Sequence, residues 1–441
     1  MTTQHGSGNM KVGDYKLESL TLFSMVNSQI ADLSGICKVI EIFEDMFSPY
    51  LTAKLHIEDA LNIPEFFPIT GQEKITLIFK TDIDAIEPTQ LVFRIYKLDS
   101  QEIYPNGKTQ KYVLHLISEG GYFNFSQSCG YSMSGSTSNM VAKIFSKHFP
   151  DAVWKNKLHI EETSDNYSFV FPKPYTPFKA ISWLSTKAMS VVGDEYSPFF
   201  FYETFDGHCF KSMSKIIEEG SVDVLPYFYT NKNFPFGTEK SFAAYDTILP
   251  SEFHRIQKFK ENSRFDMGEN IMQGTVSASL IVHDILQKER RVNVFREEDV
   301  FEKKKKLGKG LMFRHSDIES DRVLGGVVYY EASTPYTIHS DKNRIKDNSQ
   351  VENTLLRRNY HINTMLTQKI DIDIYGDNRK RVGQVINIVV PNISADGHLL
   401  EDKTDKNVSG NFLITSIRHS LGGGGAYSCK LELSRNCMGV E

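Results

Sequence analysis

Residues 411–436, NFLITSIRHSLGGGGAYSCKLELSRN, place four consecutive glycines inside a stretch of alternating polarity. Every second residue from Tyr427 to Leu433 is apolar, which is typical of a strand with one buried face. A phosphate-binding loop needs a Lys-Ser/Thr pair and a helix after its glycines, and neither follows here. The stretch therefore predicts a hairpin of two strands, with the glycines at its flexible tip.

The first third of the chain repeats the same two-residue period. Its clearest alternating segments are residues 51–57, 75–79, 91–95 and 112–116, and residues 15–25 show a looser version. Repeated short strands separated by turn signals favour a small antiparallel barrel or sandwich.

The middle of the chain changes to helical spacing. Apolar residues recur at helical intervals in residues 140–145. Thr176-Pro177 predicts a second helix, because threonine is a frequent N-cap and proline fits the first helical turn. Asp206-Gly207 then predicts a type I′ turn between two strands.

The last third mixes strands and a helix. Residues 270–286 alternate as a strand, and residues 290–310 are charged and expected to be exposed. Residues 349–368 predict a helix, whereas residues 370–374 and 385–390 predict strands that precede the glycine-containing hairpin.

Length and composition narrow the class of protein. A chain of 441 residues implies two or three domains, and 40% hydrophobic with 24% charged residues is typical of a soluble globular protein. The formal net charge of −5 gives no basic surface for reading nucleic acid. We expect no secretory signal and no transmembrane helix, because no apolar stretch approaches the roughly 18 residues required. Five scattered cysteines fit reduced thiols in a protein made in a cytoplasm.

No motif assembles a catalytic or metal-binding set. The segment GYSMSG differs from a nucleophile elbow because Ser134 stands where glycine is required. The histidines form no His-Glu-x-x-His motif, and the cysteines form no Cys-x-x-Cys pair. Candidate carboxylates for a hydrolase are Glu161, Glu162, Asp371 and Asp373, although the last two lie on the polar face of a predicted strand. We therefore expect no catalytic residue, cofactor or metal, and favour an interaction or structural protein.

Residues 353–392, NTLLRRNYHINTMLTQKIDIDIYGDNRKRVGQVINIVVPN, resemble the central hub proteins of contractile phage tails. The shared pattern is a helix with arginines, a strand, a Gly-Asp/Asn turn, an (R/K)VG(D/Q)-V-I element and a strand ending in proline. Here Gln384 stands where the family usually has aspartate after Val-Gly. Further similar segments are residues 176–189, 199–213, 270–289 and 409–436.

The resemblance implies a mainly β fold with an α+β insertion. Two small antiparallel β-barrel domains, the second discontinuous in sequence, would form a pseudo-six-fold ring in a homotrimer. The implied division is a flexible N-terminus at 1–12, a first tube-like barrel at 13–121, an α/β insertion at 122–224, a second barrel at 225–290 and 366–437, a charged linking segment with a helix at 291–365, and a C-terminal tail at 438–441.

The same resemblance implies a non-enzymatic baseplate hub, located in the virion tail and assembled in the host bacterial cytoplasm. Its trimeric ring would join a six-fold tail tube, or a tube-initiator protein, to a three-fold central spike. It would also contact the baseplate wedge proteins and let DNA pass at ejection without reading its sequence, with no insertion into a membrane. Two alternatives stay open, namely a hub or spike protein of a type VI-like secretion or contractile injection system, and a tail-associated peptidoglycan hydrolase.

Interface candidates follow from the last hairpin and from the loop and strand before it. They are Gly422, Gly423, Gly424, Gly425, Asp371, Asp373, Arg379, Lys380 and Arg381.

Overall fold

The structure is a computed structural model of the chain. It describes residues 12–67, 69–81, 88–104, 108–171, 173–220, 225–229, 253–284, 288–301, 306–307, 327–333, 351–391 and 404–437. The expected C-terminal tail at 438–441 and all but the last residue of the expected N-terminal segment lie outside the described residues.

Strands dominate the described residues. They are β1 (Tyr15–Phe23), β2 (Ile30–Asp32), β3 (Cys37–Asp45), β4 (Thr52–Asp59), β5 (Lys74–Thr81), β6 (Thr89–Ile103), β7 (Gln110–Ser118), β8 (Ser132–Gly135), β9 (Leu158–Ile160), β10 (Tyr167–Val170), β11 (Phe199–Thr204), β12 (Gly207–Ser212), β13 (Tyr227–Tyr229), β14 (Arg255–Ser263), β15 (Ser277–Asp284), β16 (Glu289–Arg296), β17 (Val327–Ser333), β18 (Gln368–Tyr375), β19 (Val385–Val389), β20 (Gly410–Gly422) and β21 (Tyr427–Arg435).

Helices connect or cover these strands. They are α1 (Ile63–Phe66), α2 (Glu119–Phe125), α3 (Thr137–His148), α4 (Asp151–Trp154), α5 (Pro177–Ser185), α6 (Met213–Glu219), α7 (Met267–Met272), α8 (Glu298–Phe301) and α9 (Val351–Met365).

One 13-stranded sheet forms the body of the molecule, in the order β19-β13-β14-β18-β21-β20-β3-β4-β7-β6-β5-β1-β2. Because β19 also pairs with β20, the six strands from β19 to β20 close on themselves, and we call them the second ring. The remaining strands, from β3 to β2, are called the first row. Alternate buried side chains of both parts, such as Leu55 and Ile372, belong to one continuous hydrophobic core.

Residues 119–220, called the insertion unit, lie between the first row and the second ring in sequence. Two small sheets, β10-β8 and β11-β12-β9, pack with α3 and α5 around an aromatic core. Phe145, Phe178 and Phe201 meet there with ring centroids 5.2–6.1 Å apart. Aromatic pairs in such tilted and edge-to-face arrangements favour a rigid unit.

A third unit contains the sheet β16-β15-β17 and the helix α9. Its core includes Leu280, Phe295, Val300 and Tyr360. The expected position of residues 270–290 in the second barrel is therefore wrong from β15 onward, because β15 pairs with β16 and β17 and not with the ring. Within residues 290–310, the charged side chains of Arg290, Arg296, Glu298 and Asp299 are exposed as expected, whereas Phe295 and Val300 are buried. Residues 302–305 and 308–310 lie outside the described residues.

The helix α9 attaches this third unit to the insertion unit through buried polar contacts. His361 lies 2.6 Å from the Asp194 carboxylate, and both side chains are buried. Arg358 donates a hydrogen bond of 2.6 Å to the carbonyl of Ser185. Burial raises the pKa of Asp194, but the hydrogen bond and charge of His361 outweigh it and hold that pKa below its usual value.

Most predicted elements are confirmed, with local corrections. The strands predicted in the first third and the helix predicted at 349–368 are present. Thr176 does occupy the N-cap position of α5, but its side chain makes no capping hydrogen bond. The hairpin turn between β11 and β12 is Phe205-Asp206, because Thr204 pairs with Gly207, so the prediction of Asp206-Gly207 was wrong by one residue.

Candidate functional site: the junction between the first row and the second ring

The first row and the second ring meet where β3 pairs with β20. The antiparallel register runs from Asp45 opposite Ser416 to Val39 opposite Gly422. We call β3, β20, the glycine turn after β20 and the loop at 376–384 the junction. Backbone pairing over a full strand fixes the two parts in one orientation, since a shift by one residue would turn every buried side chain outward.

The tetraglycine turn closes the gap between β1 and β3. The amide of Gly423 donates to the carbonyl of Lys38 at 2.6 Å, and the amide of Tyr15 donates to the carbonyl of Gly425 at 2.8 Å. The predicted hairpin is confirmed. The turn is also hydrogen-bonded to strands on both sides, a contact that the prediction of a flexible tip did not include, and its flexibility stays a prediction.

Glycine is needed in this turn for two different reasons. Gly424 and Gly425 have φ angles of 100° and 91°, a region that other residues rarely adopt. A Cβ on Gly423 would lie 3.2 Å from the carbonyl oxygen of Lys38. The glycines therefore permit close approach of β3 to the turn, and their role at an interface between chains stays a prediction.

A buried polar cluster lies directly beneath this pairing. His419 on β20 lies with its Nδ1 2.8 Å from the hydroxyl of Tyr427 and 3.3 Å from Sγ of Cys429. Its Nε2 lies 3.8 Å from a carboxylate oxygen of Glu44, which belongs to β3. Phe205 of the insertion unit covers the imidazole, with ring centroids 4.7 Å apart.

The cluster favours a protonated imidazole. Burial alone would lower the pKa of His419, but the neighbouring Cys429 and the Glu44 carboxylate raise it from 6.5 to about 9. At neutral pH the junction therefore contains a buried imidazolium and a carboxylate contributed by opposite sides of the seam.

The loop at 376–384 fastens the junction to its neighbours. Arg381 donates two hydrogen bonds, of 2.9 and 3.1 Å, to the carboxylate of Asp206 in the insertion unit. Lys380 is buried above the ring of Tyr227. Both cations are thus engaged within the chain, which the sequence pattern of basic residues did not indicate.

Arg379 is the more exposed of the three basic residues. Its guanidinium donates two hydrogen bonds to the carboxylate of Asp377, at 3.0 and 3.1 Å, and lies 5.6 Å from the ring centroid of Phe253. Nearly half of the side chain remains exposed. Arg379 is therefore the member of this trio with surface left for a partner.

The structure explains why glycine stands at the centre of the Val-Gly-Gln element, residues 382–384. Gly383 has a φ angle of 86°, and a Cβ there would lie 2.6 Å from the hydroxyl of Tyr202. The amide of Gly383 donates to the carbonyl of Ile414, and the amide of Ile414 donates back to Gln384. The amide of the buried Val382 donates to Glu44 at 3.2 Å. Glu44 and Tyr202 were missed by the sequence reasoning, although Glu44 occupies an apolar position of an alternating strand.

Asp371 and Asp373 lie on the outward face of β18, as the alternation predicts. Asp371 pairs with Lys430 at 3.0 Å and Asp373 with Lys258 at 3.5 Å. Cross-strand lysines thus satisfy both carboxylates, and their role at an interface stays a prediction.

The other candidate carboxylates are not brought together. Glu161 is buried, where it accepts hydrogen bonds from the amide of Ser212 and the hydroxyl of Ser190, both at 2.6 Å. Glu162 is exposed beside it. Among the described residues, no group of three or more acidic, histidine or cysteine side chains is placed to hold a metal ion. Within the same residues, no helix is long and apolar enough to cross a membrane.

Comparisons with known proteins come from structure alone. No protein-family profile matches the sequence, and no curated protein matches it. A 43 kDa tail protein of prophage MuSo2 from Shewanella oneidensis superposes with a TM-score of 0.52 and 9% identity, over 95% of this chain and 97% of that one.

Two further solved structures are similar over most of this chain. A tail protein from Neisseria meningitidis MC58 gives a TM-score of 0.48 at 10% identity and covers 96% of this chain and 97% of its own. A chain of the Francisella PdpA–VgrG complex gives 0.48 at 11% identity, covering 96% of this chain and 53% of its own. The MuSo2 protein, with its near-complete coverage in both directions, shows the fold. The chain therefore has the fold of this prophage tail protein.

Proposed function

We propose that the protein is a structural hub of a contractile tail baseplate, which forms a trimeric ring between the tail tube and the central spike. The observation that carries this proposal is the joining of two strand assemblies, the first row and the second ring, by one continuous sheet within a single chain. Three such chains present six strand assemblies around one axis, which matches a six-fold tube on one face and a three-fold spike on the other.

The junction supplies the rigidity that such an adaptor needs. The β3–β20 pairing, the buried Glu44–His419 contact and the Arg381–Asp206 contact tie the first row, the second ring and the insertion unit together. Because each chain holds its two strand assemblies in one fixed orientation, three chains can form a ring in which every second contact between assemblies is rigid. In this proposal both are small barrels, assigned to residues 13–121 and to 225–263 with 366–437.

The proposed partners are those that a trimeric ring of this kind would contact. A tail tube or tube-initiator protein binds one face, the spike binds the other and wedge proteins bind the outside. Candidates for these contacts are the exposed Arg379 and the half-buried, outward-facing carboxylates of Asp371 and Asp373. DNA passes through the centre unread, and a chain with a formal net charge of −5 suits passage because it holds phosphates weakly.

Light scattering coupled to size-exclusion chromatography tests the proposal. At micromolar concentration we expect a mass three times the 50.3 kDa of one chain, and rings with three-fold or pseudo-six-fold symmetry in electron micrographs. A protein that stays monomeric at all concentrations and binds neither tube nor spike proteins would contradict the hub assignment. A trimer that binds a secretion-type effector instead of a tail tube would favour the injection-system alternative.

A further inference from the structure

The strand β16 forms one edge of the sheet in the third unit. It pairs with β15 along its whole length without a bulge, and no strand of the described residues pairs with its far side. At its centre the side chains of Val292 and Val294 are 51% and 49% exposed. Strand edges are commonly protected by shortness, by proline or by a bulge, and this strand of 8 residues has none of these.

The register of β16 determines which of its backbone groups point away from the sheet. The amide of Glu297, the residue after the strand, donates to the carbonyl of Val276 at 3.0 Å and therefore faces β15. Because backbone groups alternate in direction along a strand, every second amide and carbonyl of β16 points away from β15. The residues that carry these outward groups, which we call the β16 edge, are Arg290, Val292, Val294 and Arg296.

The four side chains of the β16 edge lie on one face of the sheet, because side chains alternate between faces along a strand. The other face packs against α9, where the rings of Phe295 and Tyr360 lie with their centroids 5.5 Å apart. Arg290 and Arg296 are exposed, like the two valines between them. An added strand would therefore meet a surface that is apolar at its centre and positively charged at both ends. This order of charges is the same in either strand direction.

These charges disfavour a second copy of β16 as the added strand. If two such strands paired with their valines opposite each other, arginine would lie opposite arginine at both ends, and like charges in that position destabilise a pair of strands. Acidic residues opposite Arg290 and Arg296 would instead form cross-strand ion pairs. The nearby Glu289 lies on the other face, where its carboxylate is 4.0 Å from the guanidinium of Arg291, and so does not occupy this position.

We propose that the β16 edge binds an extended segment of another protein, which adds to the sheet of the third unit as a fourth strand. The segment has the pattern acidic-x-apolar-x-apolar-x-acidic, so that its acidic residues lie against Arg290 and Arg296 and its apolar residues against the two valines. Backbone hydrogen bonds along the edge supply affinity, and the two arginines select the acidic segment. The site belongs to the third unit and does not depend on the proposed hub function.

Peptide binding to the full chain tests the charge preference. The probes are two end-capped peptides, Glu-Thr-Val-Thr-Val-Thr-Glu and Lys-Thr-Val-Thr-Val-Thr-Lys, titrated to millimolar concentration against fluorescently labelled protein and followed by thermophoresis. The acidic peptide should bind about tenfold more tightly, because two exposed cross-strand ion pairs take the place of two repulsive pairs. Equal affinities, tighter binding of the lysine peptide, or no binding of the acidic peptide would overturn the proposal.

A charge reversal at the β16 edge places the preference on these two arginines. The double variant Arg290→Glu with Arg296→Glu changes no backbone group and should bind the lysine peptide more tightly than the acidic one. The matched control is Lys38→Glu with Lys155→Glu, which changes the net charge equally at side chains that are 56% and 66% exposed elsewhere on the molecule. This control should keep the wild-type preference. A folded Arg290/Arg296 variant that still prefers the acidic peptide would overturn the proposal.

Hydrogen exchange resolved to single amides tests whether the edge is open and whether the peptide adds along it. In the protein alone, the outward amides of Val292 and Val294 should exchange about tenfold faster or more than those of Asn293 and Phe295, which face β15. The acidic peptide should slow exchange at the two valines. Equal protection of all four amides in the protein alone would mean that the chain itself covers the edge. That result, or binding of the peptide without protection of the valines, would overturn the proposal.

Discussion

The contacts of His419 with Cys429 and Glu44 at the junction should make the stability of the protein depend on pH in a defined window. Since the pKa of His419 is raised from 6.5 in the unfolded chain to about 9 in the folded one, proton binding favours the folded state. The difference corresponds to about 3 kcal/mol of unfolding free energy. This contribution is fully present below pH 6.5 and is lost as pH rises through about 9.

The perturbation that isolates this contribution is His419→Gln. Guanidinium unfolding of wild type and variant, followed by circular dichroism of the strands, would be measured at pH 6 and pH 10 at equal protein concentration. The gap in unfolding free energy between the two proteins should be about 3 kcal/mol larger at pH 6 than at pH 10. Comparing the two proteins at each pH cancels the titration of lysines and tyrosines elsewhere.

The chain offers a matched control for this experiment. The imidazole of His56 lies 3.3 Å from the carboxylate of Glu41, which belongs to the same strand as Glu44, β3. The side chain of His56 is 43% exposed, so this contact faces water. His56→Gln should change the unfolding free energy by about 0.5 kcal/mol or less. A gap for His419→Gln that does not change between pH 6 and pH 10 would refute the view that a buried imidazolium stabilises the seam.

Three further predictions concern glycines. Gly383→Ala should lower the unfolding free energy, measured by chemical denaturation, by about 2 kcal/mol, because the residue has a φ of 86° and the added Cβ would contact the Tyr202 hydroxyl. The control Gly35→Ala should change the unfolding free energy little, since there is open space around its Cβ. Equal effects of the two variants would contradict the reasoning. Gly424→Ala should lower the unfolding free energy by about 1 kcal/mol because of its φ of 100° alone. Gly422→Ala should lower it clearly less, since the nearest atom to the added Cβ, the carbonyl oxygen of Ala426, lies 3.6 Å away. Replacing all four glycines by alanine should alter assembly, measured by light scattering, and wild-type assembly of that variant would count against an interface role.

The alternating segments predicted most of the strands because the buried faces of a sheet impose the two-residue period directly. Ile370, Ile372 and Ile374 alternate with outward aspartates, and the strand β18 contains all of them. The N-cap of a short helix was harder to predict from the sequence. Asn270 appeared to begin a strand, but the Asp266 side chain caps a short helix there by accepting from the amide of Glu269 at 2.9 Å.

The junction could be predicted only in pieces. His419 and Glu44 each occupy a position where an alternating strand places an apolar side chain, which is a readable sign of a buried polar contact. Nothing in either segment indicates that the two residues meet, because the pairing of β3 with β20 joins distant parts of the chain. The same limitation explains why the contacts of the glycine turn were not predicted. Its partners are backbone groups of Lys38 and Tyr15, which have no side-chain signature.

The β3–β20 pairing also affects how the protein reaches its folded state during synthesis. The strand β3 is translated long before β20, the strand that covers its edge. Until then the nascent chain carries an open strand edge above an incompletely covered apolar face, a feature that promotes association with other chains. Covering of the β3 edge therefore waits until β20 has been translated, and slow elongation or premature termination before that point would expose the chain to aggregation or to chaperones.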